Sequence, residues 1–289
     1  MMRALRVLAT GPLTTVQDLG RPGLAHLGVT PSGAADRGAL RLANRLVGNP
    51  EDAACLEATL GGLAVRARGD LLVALTGAPC PVAGPGDVGF GAPVRLGDGE
   101  ELRLGTPATG LRSYLAVRGG LATQPVLGSR STDLLSGLGP PVVAVDDDLP
   151  VGDAAPASDL VDLAPTPAPA SGAVALRVLL GPRDDWLTPA SVDALLSETW
   201  EVSGESNRVG ARLTGPRLEW SRAGELVSEG VVRGAVQVPP SGQPVLFGAD
   251  HPVTGGYPVV AVVLDADTDL AAQVRPGQQI RFTRAPLPR

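Results

Sequence analysis

LRVLATGP, at residues 5–12, returns in shortened form as LRVLLGP at residues 176–182. Two further segments recur in the same order: SGAADRGALRL (32–42) as SGESNRVGARL (203–213), and EATLGGLAV (57–65) as EGVVRGAVQV (229–238). The offset between the copies stays between 170 and 172 residues. Internal similarity at a steady offset is typical of duplicated structural units. The sequence therefore predicts two related lobes, in which Arg37 is equivalent to Arg208.

An acidic, proline-rich stretch separates the two copies. Residues 146–172 contain six Asp and five Pro residues and no Arg. This composition is typical of a long connecting segment. We predict a first lobe over residues 1–150, a Pro/Ala/Asp-rich linker over residues 151–171 and a second lobe over residues 172–289.

Short β-rich segments separated by turns fill most of the chain, in keeping with its 38 Gly and 28 Pro residues. They include LLVAL (71–75), SYLAVR (113–118), PVVAV (141–145), QPVLF (243–247), PVVAVVL (258–264) and QQIRFT (278–283). This spacing favours barrels or sandwiches. Apolar residues at helical spacing predict a helix over residues 34–47, and Thr188 with Pro189 predicts a helix start over residues 188–197. The predicted fold class is mainly β, in two lobes with a few short helices.

All 24 basic residues of the chain are Arg, and the absence of lysine excludes several functions. A chain without lysine forms no Schiff base with a carbonyl substrate or with pyridoxal phosphate. It has no P-loop, because the lysine that grips the phosphate is missing. Biotin is attached to its carriers through a lysine amine, so this chain carries no covalently attached biotin.

The charge, the cysteine content and the hydropathy of the chain argue against further classes of function. The net charge of −6, without a basic face, argues against nucleic-acid binding. Cys55 and Cys80 build no disulfide framework and, with only His26 and His251 to help, no zinc site, so no metal site is expected. The apolar stretches are too short to span a membrane, and the N-terminus lacks a signal-peptide pattern. We expect a cytoplasmic protein with neither a membrane nor a nucleic-acid partner.

Two motifs resemble ligand loops but are interpreted as local structure. GPGDVG (84–89) has the spacing of a dinucleotide fingerprint, yet prolines flank it and no helical pattern follows, which favours a turn. DADTD (265–269) resembles the start of a calcium loop, but Leu270 and Pro276 occupy the positions that require Gly and Glu. We predict a helix start or a turn there.

Polar residues concentrate in a glycine-edged loop of the first lobe. TTVQDLGRPG (14–23) presents Gln17, Asp18 and Arg21, and Asp36 follows a short way along the chain. These side chains either bind a ligand or form ion pairs of the fold. Gln17, Asp18 and Asp36 are the candidate binding residues of this lobe.

The second lobe contains a comparable concentration of polar residues. HPVTGGYP (251–258) follows Asp250 and presents Thr254 and Tyr257 beside two glycines, which allow a ligand or another backbone to approach closely. Asn207 and Arg208 can clamp a carboxylate or a phosphate. The structural alternatives are a tight turn and a surface ion pair. These five residues are the candidate binding set of the second lobe, and no catalytic residue is identified.

Seven segments, in order over nearly the whole chain, resemble the carboxyltransferase subdomain A/B family: TTVQDLGRPG (14–23), GVTPSGAADRGALRLANRLVGN (28–49), LEATLGG (56–62), LLGPRDDW (179–186), SNRVGARLTGP (206–216), VSEGVVRGAVQVPPSGQPV (227–245) and DHPVTGGYP (250–258). This family includes the 5-oxoprolinase C subunit, allophanate hydrolase subunit 2 and KipA. The resemblance implies that each lobe is a cyclophilin-like β-barrel.

The resemblance also implies a function. The best match is a subunit of ATP-dependent 5-oxoprolinase, which opens the ring of 5-oxoproline to give glutamate. Its implied partners are a small amide substrate, a subdomain C/D protein (the 5-oxoprolinase B subunit, or KipI-like) and a LamB/YcsF-type A subunit. ATP with Mg is implied at the level of the complex, with arginines holding phosphate and substrate carboxylate in place of lysine.

Other members of the family imply other functions. Allophanate hydrolysis fits badly, because amidases of the signature type activate their serine with a lysine. Two alternatives stay open: the carboxyltransferase component of a biotin-dependent urea or amide carboxylase, and a KipA-like regulatory protein that binds a kinase-inhibitor partner.

Overall fold

A computed structural model describes residues 3–86, 89–154 and 162–286. The chain divides into two compact units, which are named here by number. Unit 1 comprises Met1–Arg21, Ser32–Asp133 and Gly137–Pro169, and unit 2 comprises Pro22–Pro31, Leu134–Ser136 and Ala170–Arg289. The described residues form nineteen β-strands and only three α-helices. The prediction of a mainly β fold with a few short helices is confirmed.

Unit 1 contains two five-stranded antiparallel sheets. The first consists, in spatial order, of β10 (Asp148–Pro150), β1 (Ala4–Thr10), β4 (Leu63–Arg68), β8 (Glu101–Leu104) and β6 (Val82–Ala83). The second consists of β2 (Leu13–Gln17), β3 (Cys55–Thr59), β9 (Arg112–Val117), β5 (Leu71–Gly77) and β7 (Pro93–Leu96). Both sheets supply aliphatic side chains to one core, among them Leu5 and Val65 from the first sheet and Leu56 and Leu115 from the second.

A helix, α1 (Arg37–Leu46), belongs to a second apolar cluster of unit 1. Its Leu40 and Ala43 cluster with Tyr114 and Ala116 of β9. Successive side chains of a strand point to opposite faces, so β9 supplies Leu115 to the inter-sheet core and its neighbours to the helix side. All six residues of β9 are therefore buried.

Unit 2 is built on a closed barrel of seven strands. Around the barrel these are β11 (Val174–Leu180), β18 (Val259–Val263), β15 (Ala235–Gln237), β16 (Val245–Phe247), β13 (Gly210–Thr214), β12 (Trp200–Val202) and β19 (Gln279–Arg284). Parallel pairing of β11 with β19 closes it, and Leu176, Trp200 and Phe282 fill its centre. The unit also contains α2 (Pro189–Ser197), α3 (Asp265–Ala271) and a two-stranded ribbon of β14 (Glu229–Gly230) with β17 (Thr254–Gly255).

The helix predictions hold with small shifts of boundary. Thr188 accepts a hydrogen bond from the Ser191 N–H, and Pro189 opens α2 as expected. Asp36 caps α1, so that helix begins at Arg37 and not at residue 34. The DADTD segment begins α3, which confirms a helix start there.

The strand predicted over PVVAV (141–145) is wrong. Val143 makes one backbone hydrogen bond, to the Thr14 carbonyl, but Val142 and Val145 are exposed and the segment forms no strand. Two factors act against a strand. Pro141 has no N–H to donate to a ladder, and Asp146 turns the chain with a φ of 74°. The GPGDVG motif lies partly outside the described residues, so its interpretation as a turn stays a prediction.

The repeated segments do not all form the same elements. The first pair forms the opening strand of each unit, β1 and β11. The second pair differs: residues 32–42 run into α1, whereas residues 203–213 run into β13. The equivalence of Arg37 and Arg208 is therefore wrong, because local capping and helical spacing decide the first copy and barrel pairing decides the second.

The linker predicted over residues 151–171 lies partly outside the described residues. Val151 pairs with Leu121 and the Ala164 N–H donates to the Gly91 carbonyl, both within unit 1. Ala170, at the other end, belongs to unit 2, and its carbonyl accepts from Gln278 Nε2. The lobe boundaries at residues 150 and 172 stay a prediction.

Candidate functional site

Asp18, which follows β2, anchors a loop of unit 1. Its Oδ1 accepts hydrogen bonds from the Gly20 N–H (2.7 Å), the Ser129 hydroxyl (2.6 Å) and the Ser131 hydroxyl (2.5 Å). Its Oδ2 accepts from the Arg130 N–H at 2.6 Å. All four donors are uncharged groups, and the carboxylate is buried. The sequence proposed Asp18 for substrate binding, and in the structure its carboxylate binds residues of the same chain.

The two polar neighbours of Asp18 bind the same loop. Gln17 donates from Nε2 to the Thr132 carbonyl at 2.9 Å. Arg21 donates from Nη2 to the Ser131 carbonyl at 2.5 Å and from Nε to the Val126 carbonyl at 3.4 Å. Both side chains are buried. The loop of residues 126–132 is thus held by an amide, a carboxylate and a guanidinium that lie within five residues of sequence.

A second buried network of unit 1 lies on the side of the second sheet that faces α1. The Tyr114 hydroxyl donates to Glu57 Oε2 at 2.7 Å and accepts from the Asp36 N–H at 2.7 Å. Glu57 also accepts from the Ala35 N–H at 2.9 Å, and Arg112 Nε lies 3.5 Å from its Oε1. Burial, followed by the charge of Glu57, raises the pKa of Tyr114 well above its usual value. This phenol therefore stays protonated and acts as a hydrogen-bond donor.

Asp36 has a defined local role beside this network. Its Oδ1 accepts from the Ala39 N–H at 2.8 Å, which is the contact of a helix N-cap. The sequence proposed Asp36 for ligand binding and did not select Tyr114. Glu57 and Tyr114 are cross-strand partners, and no short-range pattern reveals such a pair.

The central pair of unit 2 is Arg208 and Asp250. Arg208 Nε lies 2.9 Å from Asp250 Oδ2, and Nη2 lies 3.0 Å from Oδ1. The two side chains are 1% and 0% exposed. Asp250 also accepts from the Leu134 N–H at 3.1 Å. The guanidinium fork that the sequence offered to a ligand is engaged by a carboxylate of the same chain.

The remaining candidates of unit 2 are more accessible. Thr254 is exposed on the β14–β17 ribbon, and the Tyr257 side chain is half-exposed. Gln237, which is buried, donates from Nε2 to the Tyr257 carbonyl at 2.9 Å. A Cβ at Gly255 would lie 2.5 Å from that same Nε2. This glycine therefore lets Gln237 hold the Thr254–Tyr257 turn.

Asn207 forms a local turn. Its side-chain oxygen accepts from the Val209 N–H at 2.8 Å and from the Gly210 N–H at 3.3 Å. The residue is exposed, next in sequence to the buried Arg208. Within unit 2 the structure thus brings Arg208 and Asp250 into direct contact. Substrate contacts by the eight candidate residues stay a prediction.

The described residues offer little for metal or nucleophile chemistry. They contain no group of three or more His, Cys, Asp or Glu side chains placed to hold a metal ion. Burial raises the pKa of Cys55 above its usual range and that of Cys80 to about 11, so both are thiols at neutral pH. Within the same residues, no helix has the length and hydropathy that crossing a bilayer requires.

Comparison with known proteins identifies the family. Residues 27–284 match the carboxyltransferase domain, subdomain A and B. The chain is 40% identical to the 5-oxoprolinase C subunit of Escherichia coli (strain K12) over 293 residues, covering 98% of this chain and 92% of that protein. Its identity to the 5-oxoprolinase C subunit of Haemophilus influenzae is 33%, over 94% of this chain and 88% of that protein.

A solved structure shows the same fold. The crystal structure of K. lactis urea amidolyase aligns with a TM-score of 0.92 and 29% identity over 98% of this chain. The alignment covers 19% of the urea amidolyase chain, so the present chain corresponds to one part of that larger protein. Sequence and fold agree, and the chain belongs to the carboxyltransferase domain family, subdomain A and B.

Proposed function

We propose that this chain is the C subunit of an ATP-dependent 5-oxoprolinase, which hydrolyses 5-oxoproline to glutamate. The supporting observation is the 40% identity to the E. coli C subunit over 98% of this chain and 92% of that protein. Similarity that extends over nearly all of both chains argues for the same role in the same kind of assembly. A reaction that consumes ATP fits the cytoplasm.

The proposed assembly contains a subdomain C/D protein (the B subunit, or KipI-like) and a LamB/YcsF-type A subunit. The chain has no lysine, and its described residues contain no group of three or more His, Cys, Asp or Glu side chains placed to hold a metal ion. We assign no step of nucleotide chemistry to this chain. ATP and Mg belong, in this proposal, to the complex.

Within the proposal, the candidate residues of unit 2 divide into two roles. Thr254 and Tyr257 are accessible and contact the substrate. Arg208 and Asp250 are buried and paired, so they hold the backbone that follows Asp250. Asn207 contributes the exposed turn next to that pair. For unit 1, we propose that Gln17 contacts substrate while Asp18 and Asp36 hold the loop and the helix start that surround it.

Reconstitution tests the proposal. The three proteins are co-expressed and purified, and ATP hydrolysis is measured with and without 5-oxoproline while glutamate is quantified. We expect glutamate formation that depends on all three proteins, and that is lost when this chain is omitted and restored when it is added back. Equal activity without this chain would contradict the proposal.

The second candidate is carboxyl transfer in a biotin-dependent carboxylase, and the fold shared with K. lactis urea amidolyase favours it. The chain carries no lysine for biotin, so this function requires a separate biotin carrier. The reconstituted proteins are therefore also assayed with carboxybiotin carrier and urea. Transfer in that assay, without 5-oxoproline-dependent ATP hydrolysis, selects the second candidate.

A further inference from the structure

Three polar atoms around one loop of unit 1 are buried without a hydrogen-bond partner among the described residues. They are Gln17 Oε1, Arg21 Nη1 and Thr132 Oγ1. All three residues are at least 97% buried. Buried polar atoms are nearly always satisfied by protein or by a bound molecule. Gln17 binds the Thr132 carbonyl and Arg21 binds the carbonyl of the preceding residue, Ser131, so the three atoms belong to one loop and its contacts and indicate a ligand site.

Arg21 makes the strongest case. Its side chain is 2% exposed, and its hydrogen bonds go to two backbone carbonyls. It forms no ion pair with the described residues. Asp18, which also binds Ser131, already accepts four hydrogen bonds from neutral donors. A buried cation without a counter-ion is strongly unfavourable, so this guanidinium favours an anionic ligand.

The guanidinium is held in place by its surroundings. A Cβ at Gly139, which has a φ of 89°, would lie 3.0 Å from Arg21 Nη2 and 2.0 Å from the Ser131 carbonyl oxygen. Glycine at this position therefore makes room for both partners of the 2.5 Å hydrogen bond. The result is a fixed guanidinium whose Nη1 amino group is left for a ligand.

The other two atoms have defined hydrogen-bonding character. Gln17 Nε2 donates to the Thr132 carbonyl and to the Thr15 hydroxyl. A carbonyl only accepts, so this contact fixes the amide orientation and leaves Oε1 as a free acceptor. The Thr132 hydroxyl can donate. One cationic donor, one neutral acceptor and one neutral donor thus lie around the same loop.

We propose that Arg21, Gln17 and Thr132 form a binding site for a small lactam carboxylate. Arg21 binds the carboxylate, Gln17 Oε1 accepts from the lactam N–H, and the Thr132 hydroxyl donates to the lactam carbonyl. The identification of the ligand as 5-oxoproline rests on the proposed function, whereas the match of carboxylate, donor and acceptor rests on the three residues themselves.

None of the three atoms contacts solvent, so the protein must open before a ligand can enter the site. Residues 122–147 contain no helix or strand apart from an isolated bridge between Val126 and Ser129. Access to the site requires movement of this segment, which carries Ser131, Thr132 and Gly139, and that movement must break hydrogen bonds made by Asp18, Gln17 and Arg21.

Equilibrium binding to the full chain and to the reconstituted complex tests the proposal with three probes. The probes are 5-oxoproline, cyclopentanecarboxylate, which lacks the lactam, and 2-pyrrolidone, which lacks the carboxylate. Arg21→Gln is expected to weaken both carboxylates by about 100-fold, since it removes the cation of a buried charge pair. Thr132→Val is expected to weaken 5-oxoproline by about 10-fold and to leave cyclopentanecarboxylate unchanged.

A matched control is available in the same unit. Thr123 also has a buried hydroxyl without a partner among the described residues, and it lines a cavity of about 210 Å³ with Val16, Pro141 and Val143. Thr123→Val makes the same chemical change outside the proposed site and is expected to leave all binding unchanged. Removing an unsatisfied hydroxyl does not destabilise a fold, so thermal melting of Thr132→Val should match wild type.

The outcomes separate this proposal from the proposed function. Wild-type affinity for 5-oxoproline in both Arg21→Gln and Thr132→Val overturns the site, even when the complex hydrolyses 5-oxoproline. If Arg21→Gln weakens both carboxylates while Thr132→Val leaves 5-oxoproline binding unchanged, the lactam assignment is overturned. Binding that depends on Arg21 and Thr132 in a complex without 5-oxoproline-dependent ATP hydrolysis supports the site and contradicts the function.

Discussion

Unit 1 and unit 2 each bury an aspartate and an arginine, but they satisfy these charges differently. In unit 2, Arg208 and Asp250 bind each other through two hydrogen bonds. In unit 1, Asp18 binds neutral donors, and Arg21 binds neutral carbonyls. A paired guanidinium has its charge cancelled inside the chain, whereas an unpaired one keeps its charge for a ligand. A buried arginine therefore indicates a ligand site only when no carboxylate of the same chain pairs with it.

Breaking the pair in unit 2 should have the largest effect. Asp250→Ala leaves Arg208 buried and uncompensated, and we expect it to lower the free energy of unfolding by about 3–5 kcal/mol. Chemical denaturation measures the change. The double variant Arg208→Met with Asp250→Leu removes both charges and should recover most of the loss.

An exposed ion pair of the same unit provides the control. Asp185 and Arg222 lie 2.7 Å apart with side chains 55% and 50% exposed. Asp185→Ala should cost about 0–1 kcal/mol, because solvent screens that pair. An Asp250→Ala cost no larger than the Asp185→Ala cost would show that the buried pair is not what holds this part of unit 2.

The buried network around Tyr114 in unit 1 should give a smaller loss. Tyr114→Phe deprives the Asp36 N–H of its acceptor and Glu57 of a donor, and we expect a cost of about 1–3 kcal/mol. The pKa of Tyr114 is higher in the folded state than in the unfolded state. Its contribution to the free energy of unfolding is therefore complete below the unfolded pKa and is lost as pH rises from that value through the folded pKa. That unfolded value is about 10.

Denaturation between pH 8 and pH 11 tests the direction of this pH dependence. The wild-type free energy of unfolding should fall above about pH 10, and Tyr114→Phe should fall less steeply. Parallel curves for the two proteins would contradict the assignment of Tyr114 as a buried, protonated donor.

Local features of the fold could be predicted from the sequence. Thr188 and Pro189 mark the start of α2, and LRVLATGP marks the first strand of unit 1. Each depends on a few neighbouring residues, such as a cap or an alternation. PVVAV failed because its apolar composition resembles a strand while the flanking proline and the turn at Asp146 prevent one.

The partners within the site could not be predicted in the same way. Asp18 meets Ser131 across 113 positions of sequence, and Arg208 meets Asp250 across 42. The sequence selected Asp18, Arg208 and Asp250 because polar residues are concentrated in their segments. It did not show that the last two satisfy each other, since that depends on barrel pairing.

The helix caps of the two units allow a finer comparison. Asp36 caps α1 and Thr188 caps α2. Replacing either residue by Ala should cost about 1 kcal/mol, measured by thermal melting. Asp36→Ser keeps a capping oxygen and should recover most of that stability. If Asp36→Ser restores stability but not the turnover of the reconstituted complex, Asp36 contacts substrate in addition to capping α1.

The smallest effect on stability is expected at Tyr257, and it sharpens the contrast with the only other tyrosine, Tyr114. The Tyr257 ring is half-exposed, and its hydroxyl makes no hydrogen bond with the described residues. Tyr257→Phe should therefore change the free energy of unfolding by less than about 0.5 kcal/mol. If the hydroxyl binds substrate, kcat/KM of the reconstituted complex should fall by about 10-fold.

Tyr114→Phe should show the opposite pattern, with a clear loss of stability, because its hydroxyl serves the fold. Wild-type kinetics for Tyr257→Phe in a folded complex would remove this residue from the proposed site and leave Thr254 as the accessible candidate on the ribbon.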